Sequence, residues 1–163
     1  MNTASVETRT LNLVLESPEA VRTRIKGMSS SERAQLSPDW LALVDSATSA
    51  DPWIHGFALV RRMDKAVVGS CGFKGPPTPE GVVEMAYGVA PEYQGRGYAT
   101  EAAEALVAYA FSISEVRTVW AHTLPEANAS TRVLAKCGFR RIGEVVDPED
   151  GLVWRWEKRR AAA

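Results

Sequence analysis

The chain has 163 residues, of which 45% are hydrophobic, and its formal net charge is −1. This length and composition predict a single globular domain over residues 1–163 that buries most of its apolar surface. The balanced charge argues against nucleic acid as a partner, and no apolar run approaches the roughly 20 residues needed to cross a membrane. Cys71 and Cys137 provide neither a disulfide framework nor a metal-binding spacing, so we expect no metal and a reducing, cytoplasmic location.

The first third of the chain predicts a strand followed by helices. Residues 9–15 carry leucine at every second position, the alternation of a half-buried strand. Ser17 and Pro18 predict a helix start, with Ser as the N-cap and Pro at the first helical position. Residues 29–36 and 37–47 predict one or two further helices.

The middle of the chain is rich in predicted strands. Residues 53–61 and 65–73 are apolar runs close enough in sequence to form a hairpin. Residues 75–81 contain three prolines and two glycines, which predicts a loop. Residues 82–89 form the next predicted strand, and the alanine-rich run 95–112 is typical of a helix that packs closely against a sheet.

The last third predicts a strand, a helix and a hairpin. Residues 116–124 read as a buried strand, and residues 128–139 as a helix that begins with capping residues and ends at Gly138. Residues 140–146 and 152–158 flank an Asp-Gly turn and form a predicted hairpin. The resulting order, β-α-α-β-β-β-α-β-α-β-β, indicates a mixed α/β layer with one sheet covered by helices.

A glycine-rich turn joins the strand at 82–89 to the alanine-rich helix. It lies within the segment Tyr87 to Thr100, which reads Tyr-Gly-Val-Ala-Pro-Glu-Tyr-Gln-Gly-Arg-Gly-Tyr-Ala-Thr. Free amides at a helix N-terminus form a seat for phosphate, so the first hypothesis is a phosphate-bearing ligand. No Lys follows the glycines as a P-loop requires, and Thr100 stands where a dinucleotide fingerprint needs Gly. An ordinary strand-to-helix connection is the alternative.

Gln94 to Ala99 resembles the [Arg/Gln]-x-x-Gly-x-[Gly/Ala] signature of the GNAT N-acetyltransferase superfamily. The segments Thr8–Leu13, Tyr87–Ala102 and Ala129–Phe139 together are similar to the branch that contains the ribosomal-protein alanine acetyltransferases. The resemblance covers nearly the whole chain. It implies the GNAT acyl-CoA acyltransferase fold, an α/β architecture with a central, mostly antiparallel sheet that splays between the fourth and fifth predicted strands and carries helices on both faces.

The resemblance also implies that acetyl-CoA binds where the strand ending at Val89 diverges from the next strand. Backbone groups of Tyr87 and Val89 would pair with the pantetheine arm, and turn amides would hold the pyrophosphate. Asn128 and Ser130 would lie near the thioester end, although both positions also suit helix capping. The turn residues assigned to the cofactor are Gln94, Gly95, Arg96, Gly97, Tyr98, Ala99 and Thr100, with a solvated surface side chain as the alternative for Arg96.

Amine acetylation needs a base for the amine and an acid for the departing thiolate. Glu84 is the candidate base, because it interrupts an apolar strand at a place where relatives carry a Glu that acts through water. Burial there would raise its pKa. Its alternative role is an exposed partner of Lys or Arg. Ser130 is the candidate proton donor, with Tyr87 and Tyr98 as alternatives, and His122 could serve as an acid or a substrate contact.

The predicted function is transfer of an acetyl group from acetyl-CoA by direct attack of a primary amine, either a small molecule or a protein N-terminus. The acceptor would contact the helices of residues 18–48, the loop 75–81 and the terminal hairpin, and tryptophans could line its site. A non-catalytic acyl-CoA-binding module and a free-nucleotide site are the competing hypotheses. The expected assembly is a monomer or a homodimer.

Overall fold

The structure is a computed structural model that describes residues 5–148 and 150–161. Within these residues the strands are β1 (Ser5–Glu7), β2 (Leu11–Leu15), β3 (Phe57–Arg61), β4 (Val67–Phe73), β5 (Val82–Val89), β6 (Thr118–Thr123), β7 (Arg140–Asp147) and β8 (Gly151–Arg159). The helices are α1 (Pro18–Lys26), α2 (Ser30–Ala34), α3 (Pro38–Ser46), α4 (Tyr98–Phe111) and α5 (Ala129–Lys136). No helix in the described part of the chain is long and apolar enough to cross a membrane.

The described strands form one sheet in the order β1-β2-β3-β4-β5-β6-β8-β7. Neighbouring strands run antiparallel except β5 and β6, which are parallel. The predicted mixed α/β sheet is therefore confirmed, with one addition: β1 pairs with the edge of β2, so the fourth and fifth predicted strands are β5 and β6. Glu149, within the predicted Asp147–Gly151 turn, lies outside the described residues.

The three N-terminal helices each begin at a serine that caps the first turn. Ser17, Ser29 and Ser37 accept a hydrogen bond from the backbone N–H three residues later. Such caps satisfy amides that have no partner inside the helix. The cap at Ser37, followed by a proline, starts a new helix, so the region after residue 29 forms two helices rather than one.

Helix α4 supplies one wall of the core. Ala102, Leu106 and Ala110 are completely buried and face the sheet, as their spacing predicts. Ala103 and Val107 are buried as well, because α4 also contacts α5. Not every alanine of this helix packs closely against the sheet, because Ala108 is exposed.

A carboxylate ties the first turn of α4 to the beginning of β2. The Glu101 side chain accepts hydrogen bonds from the backbone N–H of Thr10 and from the Thr10 hydroxyl, both at 2.8 Å, and from the Thr8 hydroxyl. These bonds fix the orientation of the helix end that follows the glycine turn. They also explain the position of the two threonines in the opening strand motif.

The two faces of β5 meet different layers. Val83 and Met85 are 2% exposed on the face that α4 covers. Glu84 and Ala86 point the other way, into a cavity whose wall includes Trp40 of α3. Helices therefore cover both faces of the sheet, as predicted.

The parallel strands β5 and β6 separate after a short contact. Among the described residues they pair only from Val82 to Glu84 and from Thr118 to Trp120. The other edge of β6 pairs with β8 along its whole length. The sheet is thus open beyond Glu84, and the predicted splay is confirmed.

The strand predicted at residues 53–61 begins too early. Residues 52–55 form a turn, and β3 starts only at Phe57. The Trp53 ring packs 4.7 Å from Phe73 and 5.9 Å from Tyr109, measured between ring centroids. The apolar residues at the start of the predicted strand therefore reflect a turn that packs over the core. Aromatic side chains bury large areas in turns as well as in strands, so they do not distinguish the two.

Candidate active site

The glycine turn presents backbone amides at the N-terminus of α4. Gly95 and Gly97 have φ values of 78° and 86°, a left-handed conformation that glycine adopts without steric cost. Gly97 is the N-cap and has no side chain to bind the first-turn amides. This geometry leaves the positive end of the helix available to an anion.

Side chains around the turn hold it against its surroundings. The Gln94 amide donates to the Val89 carbonyl at 2.9 Å, and Arg96 donates to the Glu92 carbonyl at 3.5 Å. The Tyr98 hydroxyl accepts from Arg61 at 3.3 Å. Arg96 is exposed, so its guanidinium could reach a ligand phosphate.

Backbone groups of β5 face the opening in the sheet. The Glu84 carbonyl accepts from Lys74 of the segment after β4, and the Ala90 amide donates to Val68 of β4. In an antiparallel ladder, alternate residues bond to opposite sides. The N–H and C=O groups of Tyr87 and Val89 therefore point away from β4, toward the splay.

The beginning of α5 approaches the splay from the side. The Tyr87 hydroxyl lies 3.2 Å from the Ser130 hydroxyl. Burial raises the pKa of Tyr87, so its hydroxyl stays protonated at neutral pH. Of the two tyrosines considered as proton donors, Tyr87 is therefore the one in contact with Ser130, whereas the Tyr98 hydroxyl contacts Arg61.

Asn128 acts as the N-cap of α5. Its side-chain oxygen accepts from the Thr131 backbone N–H at 3.0 Å, and the Thr131 hydroxyl accepts from the Asn128 N–H at 3.0 Å. The reciprocal pair is a capping box. Asn128 thus has the capping role that its sequence position suggests, and it fixes the backbone that carries Ser130.

A cavity of about 680 Å³ lies on the sheet face opposite α4. Its floor is formed by β4 and β5, one wall by residues 35–40, and the other by the β7–β8 turn. Two of the three segments expected to contact the acceptor therefore line it, and the loop 75–81 does not. Of the tryptophans considered as lining residues, Trp40 is at this cavity.

Glu84 lies at the cavity floor among charged groups. Its Oε2 is 3.0 Å from Lys74 Nζ and 3.2 Å from His122 Nδ1. Burial raises the pKa of Glu84. The polar interaction with the nearby His122 ring and the positive charge of Lys74 outweigh burial, so the pKa of Glu84 lies below its ordinary value. The expectation of a raised pKa is therefore wrong, because sequence alone did not reveal these two neighbours.

Glu84, His122 and Asp147 bring three potential metal-ligand atoms within 4.8 Å of one another. Two cationic side chains already contact this group: Lys74 at Glu84, and Arg155, whose Nε donates to His122 Nε2 at 3.0 Å. Their positive charges oppose the binding of a divalent cation at the same atoms. The arrangement therefore fits a polar network better than a metal centre.

The cysteines lack the properties of a nucleophile. Cys71 and Cys137 are buried. Burial raises the pKa of Cys71 to about 12 and that of Cys137 to about 11, so very little of either is thiolate at neutral pH. Direct transfer is thus favoured over a covalent route through either thiol.

Sequence patterns missed three charged residues around Glu84 and His122: Lys74, Asp147 and Arg155. Lys74 follows β4, Asp147 ends β7, and Arg155 lies within β8. Each looks like an ordinary charged residue beside a turn or on a strand. The pairing of β6 with β8, which places Arg155 opposite His122, is a long-range choice that no local motif signals.

Comparisons with known proteins agree with this architecture. Residues 7–140 match a family model described as an acetyltransferase (GNAT) domain. The curated relative p20 of Bacillus licheniformis, an uncharacterized N-acetyltransferase, is 28% identical over 93 residues, which are 57% of this chain and 52% of that protein. The matched part thus spans about half the length of that relative.

Two solved structures share the fold. A protein from Vibrio cholerae assigned as a ribosomal-protein-serine acetyltransferase has a TM-score of 0.68 at 17% identity, covering 98% of this chain and 100% of that chain. The structure of AAC(6')-Ib with ribostamycin and coenzyme A has a TM-score of 0.63 at 18% identity, covering 93% and 94%. Because the matching family model covers most of the chain, the protein belongs to the GNAT acetyltransferase family, as its motifs indicate.

Proposed function

We propose that this protein transfers an acetyl group from acetyl-CoA to a primary amine. The observation that carries the proposal is the opening of the sheet after three residue pairs between β5 and β6. The glycine turn at α4 follows one of the two diverging strands, and Glu84, on the same strand, lines the cavity opposite α4. Strand β5 therefore connects the turn that would bind a diphosphate to the cavity that would bind an amine.

The residues at the opening fit coenzyme A. The amides from Gly95 to Ala99 would hold the pyrophosphate, each exposed helix-terminal interaction contributing about 0.3–1 kcal/mol. The outward backbone groups of Tyr87 and Val89 would pair with the pantetheine amides as an added strand does. When bound, acetyl-CoA would supply an acetyl group activated as a thioester. The coenzyme A complex of AAC(6')-Ib supports this choice of donor.

Glu84 would act as the general base. Its lowered pKa keeps it a carboxylate at neutral pH, ready to accept a proton from the acceptor ammonium directly or through water. The Tyr87 and Ser130 hydroxyls would return a proton to the departing sulfur, Tyr87 as the protonated donor and Ser130 as the relay. Backbone N–H near Val89 would polarise the acetyl carbonyl.

The acceptor is a primary amine of a small molecule or of a protein N-terminus. Glu84, Asp147 and Asp150 place carboxylates at one end of the cavity, where they would attract an ammonium group. Trp40 and Leu36 supply apolar surface on the facing wall. The ribostamycin complex of AAC(6')-Ib, which holds an aminoglycoside, supports an amine acceptor of this kind.

The experiment combines ligand stabilisation with turnover. Acetyl-CoA at 100 times its Kd should stabilise the folded protein by about 2.7 kcal/mol, measured by thermal shift, and ATP or NAD should stabilise it less. Release of coenzyme A thiol should then depend on an added amine from a panel of small amines and short peptides. Stabilisation without amine-dependent thiol release would favour the non-catalytic module, and stronger stabilisation by ATP or NAD would favour the nucleotide site.

A further inference from the structure

A line of polar contacts connects Glu84 to two strands beyond the splay. His122 Nδ1 lies 3.2 Å from Glu84 Oε2 and 3.5 Å from Asp147 Oδ2. On the other side of the ring, Arg155 Nε donates to His122 Nε2 at 3.0 Å. The His122 side chain is only 5% exposed, so these contacts dominate its environment.

The contact with Arg155 decides which imidazole nitrogen carries a proton. A guanidinium donates hydrogen bonds and cannot accept them, so His122 Nε2 must be the accepting nitrogen and Nδ1 carries the hydrogen. The Arg155 guanidinium is itself held 3.9 Å above the Trp120 ring. The imidazole therefore turns its N–H toward Glu84 and Asp147.

The facing atoms of Glu84 and His122 are close but not aligned. The two atoms, Glu84 Oε2 and His122 Nδ1, are buried, and neither makes a hydrogen bond of full geometry to the described residues. Buried polar atoms left in this state are rare in structural networks, because each costs free energy. Hydrogen bonds in catalytic sites are often poorly aligned before the substrate binds and tighten afterwards.

Other charged groups reach Glu84 from the remaining sides. Lys74 approaches from the end of β4 and divides its ammonium between Glu84 at 3.0 Å and Asp150 at 3.3 Å. Asp147 lies beyond the imidazole at the end of β7. The Lys74 ammonium is shared between Glu84 and Asp150 of the β7–β8 turn, whereas His122 lies within the sheet, where it pairs with Arg155.

We propose that His122 is the residue that positions the Glu84 carboxylate for proton transfer, and that Arg155 sets the His122 tautomer for this task. The inference rests on the proposed acetyl transfer and adds two residues to it. His122 does not exchange a proton with the substrate. When the acceptor binds, His122 donates its Nδ1 hydrogen to one carboxylate oxygen, which leaves the other oxygen directed at the amine.

The test compares variants of His122 in the full chain. His122→Leu should lower kcat about ten- to hundred-fold, the usual cost of misplacing a catalytic group, while the KM for acetyl-CoA changes less than about three-fold. His122→Asn restores a donor near the Nδ1 position and should recover most of the loss. The acid limb of the kcat profile should move to higher pH in His122→Leu, because one group that lowers the Glu84 pKa is gone.

Arg155→Gln provides a second test that does not depend on the His122 variants folding. Nitrogen NMR should show the hydrogen of His122 on Nδ1 in the unsubstituted protein and a mixture of tautomers in Arg155→Gln, with a smaller fall in kcat. Arg159→Gln is the matched control, an exposed arginine of the same strand, and should change neither.

Two results would overturn the assignment separately from the proposed function. Normal kcat and an unshifted acid limb in folded His122→Leu would remove the positioning role, and a hydrogen on His122 Nε2 in the unsubstituted protein would remove the role of Arg155. Absence of amine-dependent thiol release in the unsubstituted protein would overturn the proposed function, and the positioning role with it.

Discussion

At Glu84, two opposing effects act on one carboxyl group. Burial raises its pKa, whereas His122 and Lys74 lower it, and the lowering prevails. A carboxyl group with a lowered pKa is ionised at neutral pH and can accept a proton there. It is also a weaker base than a carboxylate with a raised pKa. Its position within hydrogen-bond reach of the acceptor amine must therefore supply the catalytic effect.

The replacement Glu84→Gln tests this residue directly. It should lower kcat by about 100-fold or more, because a positioned general base contributes roughly 10²–10⁴-fold. In the unsubstituted protein, the acid limb assigned to Glu84 should lie below the ordinary Glu pKa, since the folded-state pKa is lowered. The measurement is thiol release from pH 3 to pH 9, with stabilisation by acetyl-CoA as the check on cofactor binding.

The control for Glu84→Gln is Glu80→Gln, which alters an exposed glutamate in the loop before the same strand. It should leave both turnover and its pH dependence unchanged. An acid limb that stays in place in Glu84→Gln would mean that another group titrates, and the base assignment would then fail.

At the scale of elements, Glu101 connects the opening strand to the helix that carries the glycine turn. Glu101→Ala removes three hydrogen bonds, from the Thr10 N–H and from the hydroxyls of Thr8 and Thr10. The free energy of unfolding should fall by about 1–3 kcal/mol, measured by urea denaturation at pH 7. Glu104→Ala, an exposed glutamate one turn along α4, should cost far less.

The loss in Glu101→Ala should depend on pH. Burial raises the pKa of Glu101, but the hydrogen bonds from Thr8 and Thr10 outweigh it and lower the pKa. The stabilisation is therefore complete above the unfolded-state pKa and disappears as the pH falls through the folded-state pKa. The two proteins should thus converge in stability in acid, and a difference that stays constant would contradict this account.

The elements that sequence predicts well are those whose signals are local. The leucine alternation of β2, the serine caps and the glycine turn depend on residues a few positions apart, and the structure forms each of them. The Glu84 neighbourhood could not be predicted in this way. His122 and Arg155 lie 33 residues apart and meet only because β8 pairs with β6.

At the scale of the whole molecule, the sheet consists of two parts joined by a short contact. Strands β1 to β5 form an antiparallel run, β6, β8 and β7 form another, and the parallel pairing from Val82 to Glu84 links them. The opening between the parts is bordered by the end of β5, which does not pair with β6 beyond Glu84 in the described residues. A ligand that pairs with the backbone of β5 beyond Glu84 would reduce motion between the two parts of the sheet.

Hydrogen exchange reports how strongly a ligand protects each backbone amide at this opening. Coenzyme A should slow exchange at Tyr87 and Val89, whose N–H groups face the splay, and at the amides of Gly95 to Ala99. ADP, which carries the diphosphate without the pantetheine arm, should protect the glycine turn alone. The antiparallel pair β2–β3 serves as the internal reference, because its amides are already bonded within the sheet. If coenzyme A protects all these regions equally, the ligand only raises global stability, and the splay is not its binding site.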